Sequence, residues 1–325
     1  MRAAIVGYGN LGRGAELALH ADSDFELVGV FTRRDPASVR TLTGIPVYPA
    51  DRILSWQGKL DVLLLCGGSA TDLPALSPAL AEHFEIVDSF DNHGEIPAHI
   101  ARVDAAARAG GHLALVAAGW DPGLFSLLRL YMGAILPDGV PCTFWGKGVS
   151  QGHSDAVRRL PGVSDARAYT IPLPEGPDAV RAGRRPDRSA QRLHRRVVYV
   201  VAEPGADPTC LRRAIGSMPG YFAGSDTTVF FISQEEMNRD HAGLPHAGRV
   251  LCTGHTGVDG THLQRMEASL DLASNPEFTG CVLAACARAV CRLRESGRVG
   301  CLTVFDIPPV VLSPLSSEEL RRGIL

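Results

Sequence analysis

Apolar and polar positions follow two different rhythms along this chain. Over the first 119 residues, short runs that are apolar almost throughout alternate with amphipathic segments. The runs at 3–6, 25–31, 62–66, 84–88 and 113–116 predict strands covered on both faces. Between the first two, Leu11, Ala15, Leu17, Ala18 and Leu19 mark one side of a helix, and 72–82 and 96–109 predict two more. Alternating strand and helix predict an α/β fold built on a doubly wound parallel sheet.

From Trp120 the rhythm changes. A helix over 124–136 precedes strand-like segments at 143–149, 168–172, 197–202, 227–232 and 249–253. A clear period of two at Met266, Ala268, Leu270 and Leu272 adds another strand. Residues 120–296 therefore predict a second, mixed α/β domain with a mostly antiparallel sheet, one face packed and the other partly wet. A long helix over 276–296 and a strand at 301–305 predict that about 297–325 return to the first domain. No internal repeat is visible.

Length and composition agree with two domains: 325 residues, of which 45% are hydrophobic. The formal charge of −3 gives no reason to expect nucleic acid or an anionic membrane as partner and leaves a small ligand. No apolar run approaches the roughly 18 residues that cross a bilayer, and Met1 leads straight into a strand, so the expected compartment is the cytoplasm. The eight cysteines form no C-x-x-C pair and are expected to be reduced. His241 and His246 do not reproduce the H-E-x-x-H helix face, and no metal is expected. Arg181, Arg184, Arg185, Arg188, Arg192, Arg195 and Arg196 crowd one segment, but without interleaved aromatics it reads as a solvated connecting loop.

Candidate chemistry begins directly after the first strand, where Gly7-Tyr8-Gly9-Asn10-Leu11-Gly12 is a G-x-G-x-x-G turn opening a helix. Its glycines suit a tight turn, backbone approach to a pyrophosphate and close helix packing, the start of a Rossmann-type dinucleotide unit. At the end of the second strand, an NAD protein usually carries an acid for the ribose hydroxyls. This chain has Thr32-Arg33-Arg34, which suits a 2′-phosphate and predicts NADP. The alternative is a solvated arginine pair.

Ligands of such sheets gather at the carboxyl ends of strands. Gly68, Ser69, Ala70 and Thr71 come after the third strand, where Ser69 and Thr71 are either cofactor contacts or helix caps. Ser89, Phe90 and Asp91 come after the fourth, and Gly119, Trp120, Asp121 and Pro122 after the fifth. Asp91 and Asp121 suit the holding and deprotonation of an amine. Equally, Asp91 reads as a turn residue and Asp121 as an N-cap before Pro122. His153, Ser154 and Asp155 are adjacent, which does not make a hydrolytic triad; they read as shaping a loop and starting a helix at Ser154 or Asp155.

Taken together, V-G-Y-G-N-L-G at 6–12, G-S-A-T-D at 68–72, Asp91-Asn92-His93, Gly119-Trp120-Asp121-Pro122-Gly123, Phe144-Trp145-Gly146 and Gln151-Gly152-His153-Ser154-Asp155 resemble the meso-diaminopimelate D-dehydrogenase family over essentially the whole chain. The resemblance implies NADP-dependent oxidative deamination at the D-centre of meso-2,6-diaminopimelate, its reversal, and a homodimer with a substrate and dimerisation domain. It further implies that Trp120 and Trp145 wall the D-centre, that Gln151 and Gly152 bond its carboxylate, and that Asp91 and Asp121 hold its amine. Thr170, Arg196, His246 and Asn275 would bind the distal L-centre. Two other readings keep the cofactor domain: an NADP-dependent reductase or broader D-amino acid dehydrogenase, and a non-enzymatic NADP sensor.

Overall fold

The computed structural model describes residues 1–136, 138–186 and 193–325. They divide into two compact units, Met1–Leu127 with Pro276–Leu325, and Leu128–Asn275.

The first unit holds seven strands: β1 (Arg2–Val6), β2 (Glu26–Thr32), β3 (Val47–Pro49), β4 (Val62–Leu65), β5 (Ile86–Asp88), β6 (Leu113–Leu115) and β14 (Gly300–Leu302). All are parallel, in the order β14-β6-β5-β4-β1-β2-β3. Successive strand residues feed opposite cores. Ala3 and Ile5 pack with helices α1 (Asn10–Ala21) and α9 (Asn275–Glu295), whereas Ala4 and Val6 pack with α2 (Leu73–Ala81) and α3 (Ile96–Gly110). Burial on both faces is why these strands are apolar without alternation.

Helix α9 lies in the first unit, a correction to the sequence boundary at about residue 297. The reason is close packing. A Cβ on Gly14 would lie 2.2 Å from the Pro276 carbonyl oxygen, and one on Gly280 2.4 Å from the Gly14 carbonyl carbon, so α1 and α9 meet backbone to backbone. Arg288 of α9, almost fully buried, bonds Asp22 and Asp24 (2.6 Å to the latter) and the Leu312 carbonyl (2.8 Å).

In the second unit, β8 (Gly148–Ser150), β9 (Val163–Pro172), β10 (His194–Ala202) and β11 (Asp226–Phe231) form one sheet, with only the β10–β11 pair parallel. Strands β7 (Cys142–Trp145), β12 (His246–Thr256) and β13 (His262–Leu272) form an antiparallel second sheet. The segment 143–149, which reads as one strand in sequence, is thus two strands in two sheets. They part at Gly146, whose φ of 107° and whose approach to Thr170 (a Cβ would lie 2.1 Å from that carbonyl oxygen) exclude a side chain. Helices α5 (Gln151–Arg158), α6 (Glu175–Arg181), α7 (Pro208–Gly216) and α8 (Gln234–Asp240) belong to this unit. Helix α5 starts at Gln151, not at Ser154 or Asp155. Ser154 is buried in mid-helix, donating to the Ser150 carbonyl (2.7 Å) and accepting from Ala168 N–H (2.9 Å).

Of the arginine-rich segment, Arg181 forms a two-pronged pair with Glu267 (2.6 and 3.0 Å), joining α6 to β13. Arg188 and Arg192 lie outside the described residues. Among the described residues no helix is long and apolar enough to cross a membrane, and no three His, Cys, Asp or Glu side chains are grouped to hold a metal ion.

Candidate active site

The turn after β1 assigns each glycine a separate task. Gly7 has φ 92°, a Cβ on Gly12 would lie 2.3 Å from the Gly7 carbonyl oxygen, and a Cβ on Gly9 would meet nothing within 4 Å. The first makes the turn, the third lets α1 close on it, and the second leaves its face open to a ligand. That open face borders a cleft of about 680 Å³ at the carboxyl ends of β1, β2 and β4. Gly7, Tyr8, Gly9, Thr32, Arg33, Arg34, Gly68 and Thr71 line it, together with Cys66, Gly67 and Asp72. This is the switch point of the sheet, and the residues present fit a dinucleotide.

Of the other predicted cofactor residues, Asn10, Leu11 and Gly12 open α1 directly after Gly9, Ser69 and Ala70 stand between the lining residues Gly68 and Thr71, and Ser89 and residues 119–122 follow β5 and β6. The Phe90 ring is buried against His99 (centroids 4.0 Å apart, planes at 11°), which leaves it no surface for a cofactor. Ser69 does not cap α2; its hydroxyl accepts from Asp91 N–H (3.0 Å), and Asp72 occupies the N-cap position.

Charge is arranged around the mouth of the cleft. Arg33 pairs with Asp72 at 2.7 Å with most of its side chain exposed, and Arg34 donates to the Tyr8 carbonyl and, through its N–H, to Thr32 Oγ1 (3.1 Å). Tyr8 hydroxyl donates to the buried Glu16, which also accepts from Leu42 N–H (3.1 Å) and Thr43 N–H (2.6 Å). Burial and that bond push the Tyr8 phenol up to about 12. Burial would raise Glu16, but the bonds from Thr43, Tyr8 and Leu42 hold it below the usual carboxylate range. Burial also pushes the Cys66 thiol up to about 12, so this wall of the cleft is inert.

Asp91 is exposed on the loop after β5, and Asp121 is half-buried after β6. The N-cap reading of Asp121 does not stand. Helix α4 (Leu124–Ile135) starts three residues on, and 119–123 fold into a tight turn in which Trp120 bridges Gly123 and the Leu124 N–H reaches the Gly119 carbonyl (3.0 Å). Trp120 is buried edge-on against Phe125 (5.2 Å).

In the second unit, register assembles a cluster that spacing could not. Gly148, Thr170 and Arg196 are direct cross-strand neighbours over β8, β9 and β10. Arg196 donates to Thr170 Oγ1, while its buried Nε finds no partner and its charge no carboxylate among the described residues. A Cβ on Gly148 would lie 2.5 Å from the His246 ring, so glycine lets that histidine in. His246, expected in a loop, is the first residue of β12, nearly buried, its Nδ1 paired with the Ala247 carbonyl (2.9 Å). Burial and the charge of Arg196 lower His246, the Ala247 bond opposing, and burial and Arg196 push His153 down to about 4. Burial and the guanidinium thus disfavour the protonated form of both histidines, and Arg196 remains the positive charge of this cluster among the described residues. Gln151 and Gly152 open α5, with space over Gly152; the Trp145 backbone N–H donates to His194 Nε2 (3.0 Å); and the Asn275 backbone N–H donates to the Leu244 carbonyl (2.9 Å).

Residues 119–274 match the family described as diaminopimelic acid dehydrogenase C-terminal domain. The meso-diaminopimelate D-dehydrogenase of Acetivibrio thermocellus is 51% identical over 326 residues, spanning 100% of this chain and 98% of the relative. The chain belongs to the meso-diaminopimelate D-dehydrogenases. The Corynebacterium glutamicum enzyme, 41% identical over 98% of both chains, agrees, and its structure in complex with DAP superposes with a TM-score of 0.94, at 40% identity, over 100% of this chain and 99% of that one. An engineered D-amino acid dehydrogenase bound to NADP+ matches with a TM-score of 0.91 at 39% identity, covering 100% and 99%.

As a meso-diaminopimelate D-dehydrogenase, the protein is an oxidoreductase that uses a nicotinamide cofactor, and the non-enzymatic reading falls. The structure also brings forward three buried polar residues that sequence reasoning did not single out: Glu16, Asp88 and His99. Glu16 and His99 had a faint signal, each a polar residue on the buried side of an amphipathic helix. Asp88 closed an apolar strand and read as its end.

Proposed function

We propose that the enzyme is NADP-dependent and oxidatively deaminates the D-centre of meso-2,6-diaminopimelate to L-2-amino-6-oxopimelate and ammonia, and catalyses the reverse. The product cyclises to tetrahydrodipicolinate. The observation that carries the reading is Arg196, a guanidinium that meets no carboxylate among the described residues and is flanked by Thr170, His153 and His246. A substrate with a second, distal carboxylate satisfies it; a simple D-amino acid does not. The NADP preference is supported by Arg33 and Arg34 on the cleft and by the absence of an acid at the end of β2.

In this reading the nicotinamide supplies the two-electron acceptor. The chain does the rest. Asp91 and Asp121 hold the D-centre ammonium, one of them takes its proton directly or through water, and both stabilise the iminium that forms when the C–H bond breaks. Water adds to the iminium carbon and ammonia leaves. Gln151 and Gly152, the first residues of α5, offer the D-carboxylate a helix N-terminus. Trp120 and Trp145 wall the reacting centre, and Thr170, Arg196, His246 and Asn275 bind the distal end, whose binding energy orients the D-centre.

We also place the enzyme in the cytoplasm, which suits eight cysteines that form no disulfide. It acts as a homodimer, a reading supported by Leu130, Tyr131 and Ile135 on α4, three large apolar side chains left about half exposed or more. NADPH formation with meso-, LL- and DD-diaminopimelate in separate assays, with ammonia measured alongside, tests the reaction. Turnover of the meso isomer, none with LL, and matching ammonia are expected. Silence with meso despite NADPH binding overturns the substrate. Asp121→Ala should lose turnover while still binding NADPH, and full activity in that variant would remove Asp121 from the chemistry.

A further inference from the structure

Asp88 ends β5 with no exposed surface, and no lysine or arginine neutralises it among the described residues. Four hydrogen bonds do so instead. Oδ2 accepts from Ser77 Oγ on α2 and from His99 Nε2 on α3, both at 2.7 Å. Oδ1 accepts from two backbone N–H groups, Phe90 at 3.1 Å and Ala117 at 3.0 Å. The Asp88 carbonyl accepts from Ala118 N–H at 2.9 Å.

These two backbone donors matter because of their neighbours in the chain. Phe90 immediately precedes Asp91, and Ala117 stands four residues before Asp121. One oxygen therefore ties together the two loops that carry the candidate carboxylates. Ala117 also has φ 56°, in the left-handed region that is unfavourable for a non-glycine residue, and its N–H is bonded to Asp88 there. Phe90 is fixed a second time by its stacking on His99, which is itself a ligand of Asp88. A desolvated carboxylate is a costly way to join two loops in a core that apolar packing could fill. What it adds is direction, since both N–H groups must point at one atom.

We propose that Asp88 is a positioning residue for the dehydrogenase reaction, with His99 and Ser77 orienting its carboxylate so that Asp91 and Asp121 are spaced for the D-centre amine before substrate binds. The proposal rests on the reading that those two carboxylates hold the amine. Asp88 does not touch substrate or cofactor; it acts through the loops.

The test is Asp88→Asn, which keeps the shape and an acceptor for both N–H groups but turns an NH₂ toward two donors, with Asp88→Ala as the stronger variant. Rates are taken per NADPH-binding site, so that unfolded protein does not count, and NADPH affinity is titrated by fluorescence. Expected for Asp88→Asn is a kcat about tenfold below the parent, with KM and NADPH affinity within about twofold. Asp88→Ala, if it folds, should lie about a hundredfold below, the scale of a 1 Å misplacement. A kcat for Asp88→Asn within twofold of the parent overturns the proposal. So does a parallel fall in kcat and NADPH affinity, which would mark general loosening of the fold. Asp121→Ala run alongside separates the two layers: full activity there removes the underlying reading, whereas its inactivity beside a fully active Asp88→Asn removes only the positioning role.

Discussion

Arg33 and Arg34 were legible in the sequence because they stand at a fixed place in a motif, and the structure adds their surroundings. Arg33 is shared with Asp72 and Arg34 is braced on the Tyr8 carbonyl, so both are pre-oriented at the cleft. Replacing both with alanine should weaken NADPH binding at least about tenfold while leaving NADH binding nearly unchanged, since each charge-assisted bond contributes about 1.5–3 kcal/mol. Equal losses in a fluorescence titration of both cofactors would count against the 2′-phosphate assignment. His153 offered no such signal, because its environment comes from Arg196 and Tyr221, far along the chain. Its depressed value, about 4 against an ordinary 6.5, means that the unfolded chain binds its proton first. This contribution to stability is complete above about pH 6.5 and is lost as pH falls toward 4. The urea midpoint should fall across that window, and His153→Gln should flatten the fall; an unchanged slope would place the titration elsewhere.

At the scale of elements, the apolar runs located the buried strands of the first sheet, whereas partners and boundaries depended on contacts between distant segments. Helix α9 has the composition of a core helix, but only tertiary contacts, Gly14 against Pro276 and Gly280 among them, reveal which core it joins. Arg288 belongs to the same joint, tying α9 to Asp22 and Asp24 at the end of α1 and to Leu312 beyond it. Arg288→Ala should cost about 3 kcal/mol in urea unfolding, because it removes a buried cation from two partly buried carboxylates and leaves a gap. A loss under about 0.5 kcal/mol would mean that the glycine contact alone holds the helix. The division of 143–149 into β7 and β8 has a similar origin. Each strand is too short to carry a period of its own, and the break at Gly146 is set by the Thr170 carbonyl across the sheet.

For the molecule as a whole, the exposed apolar face of α4 makes association testable. Light scattering should give the mass of two chains, and Ile135→Glu should shift it toward one; a parent protein that runs as a single chain would overturn the homodimer. The sequence by itself determined the first fold class, the glycine turn, the basic end of β2 and the identity of the carboxylates at the strand ends. These are local properties, written in the period of hydrophobic residues and in the backbone freedom of glycine. Tertiary structure alone decided that Thr170, Arg196 and Gly148 stand abreast, that His246 is drawn in by a missing side chain, and that Asp88 fastens two loops with one oxygen. Strand register and long-range hydrogen bonds depend on which segments meet, and a one-residue slip would turn each of these side chains to the opposite face.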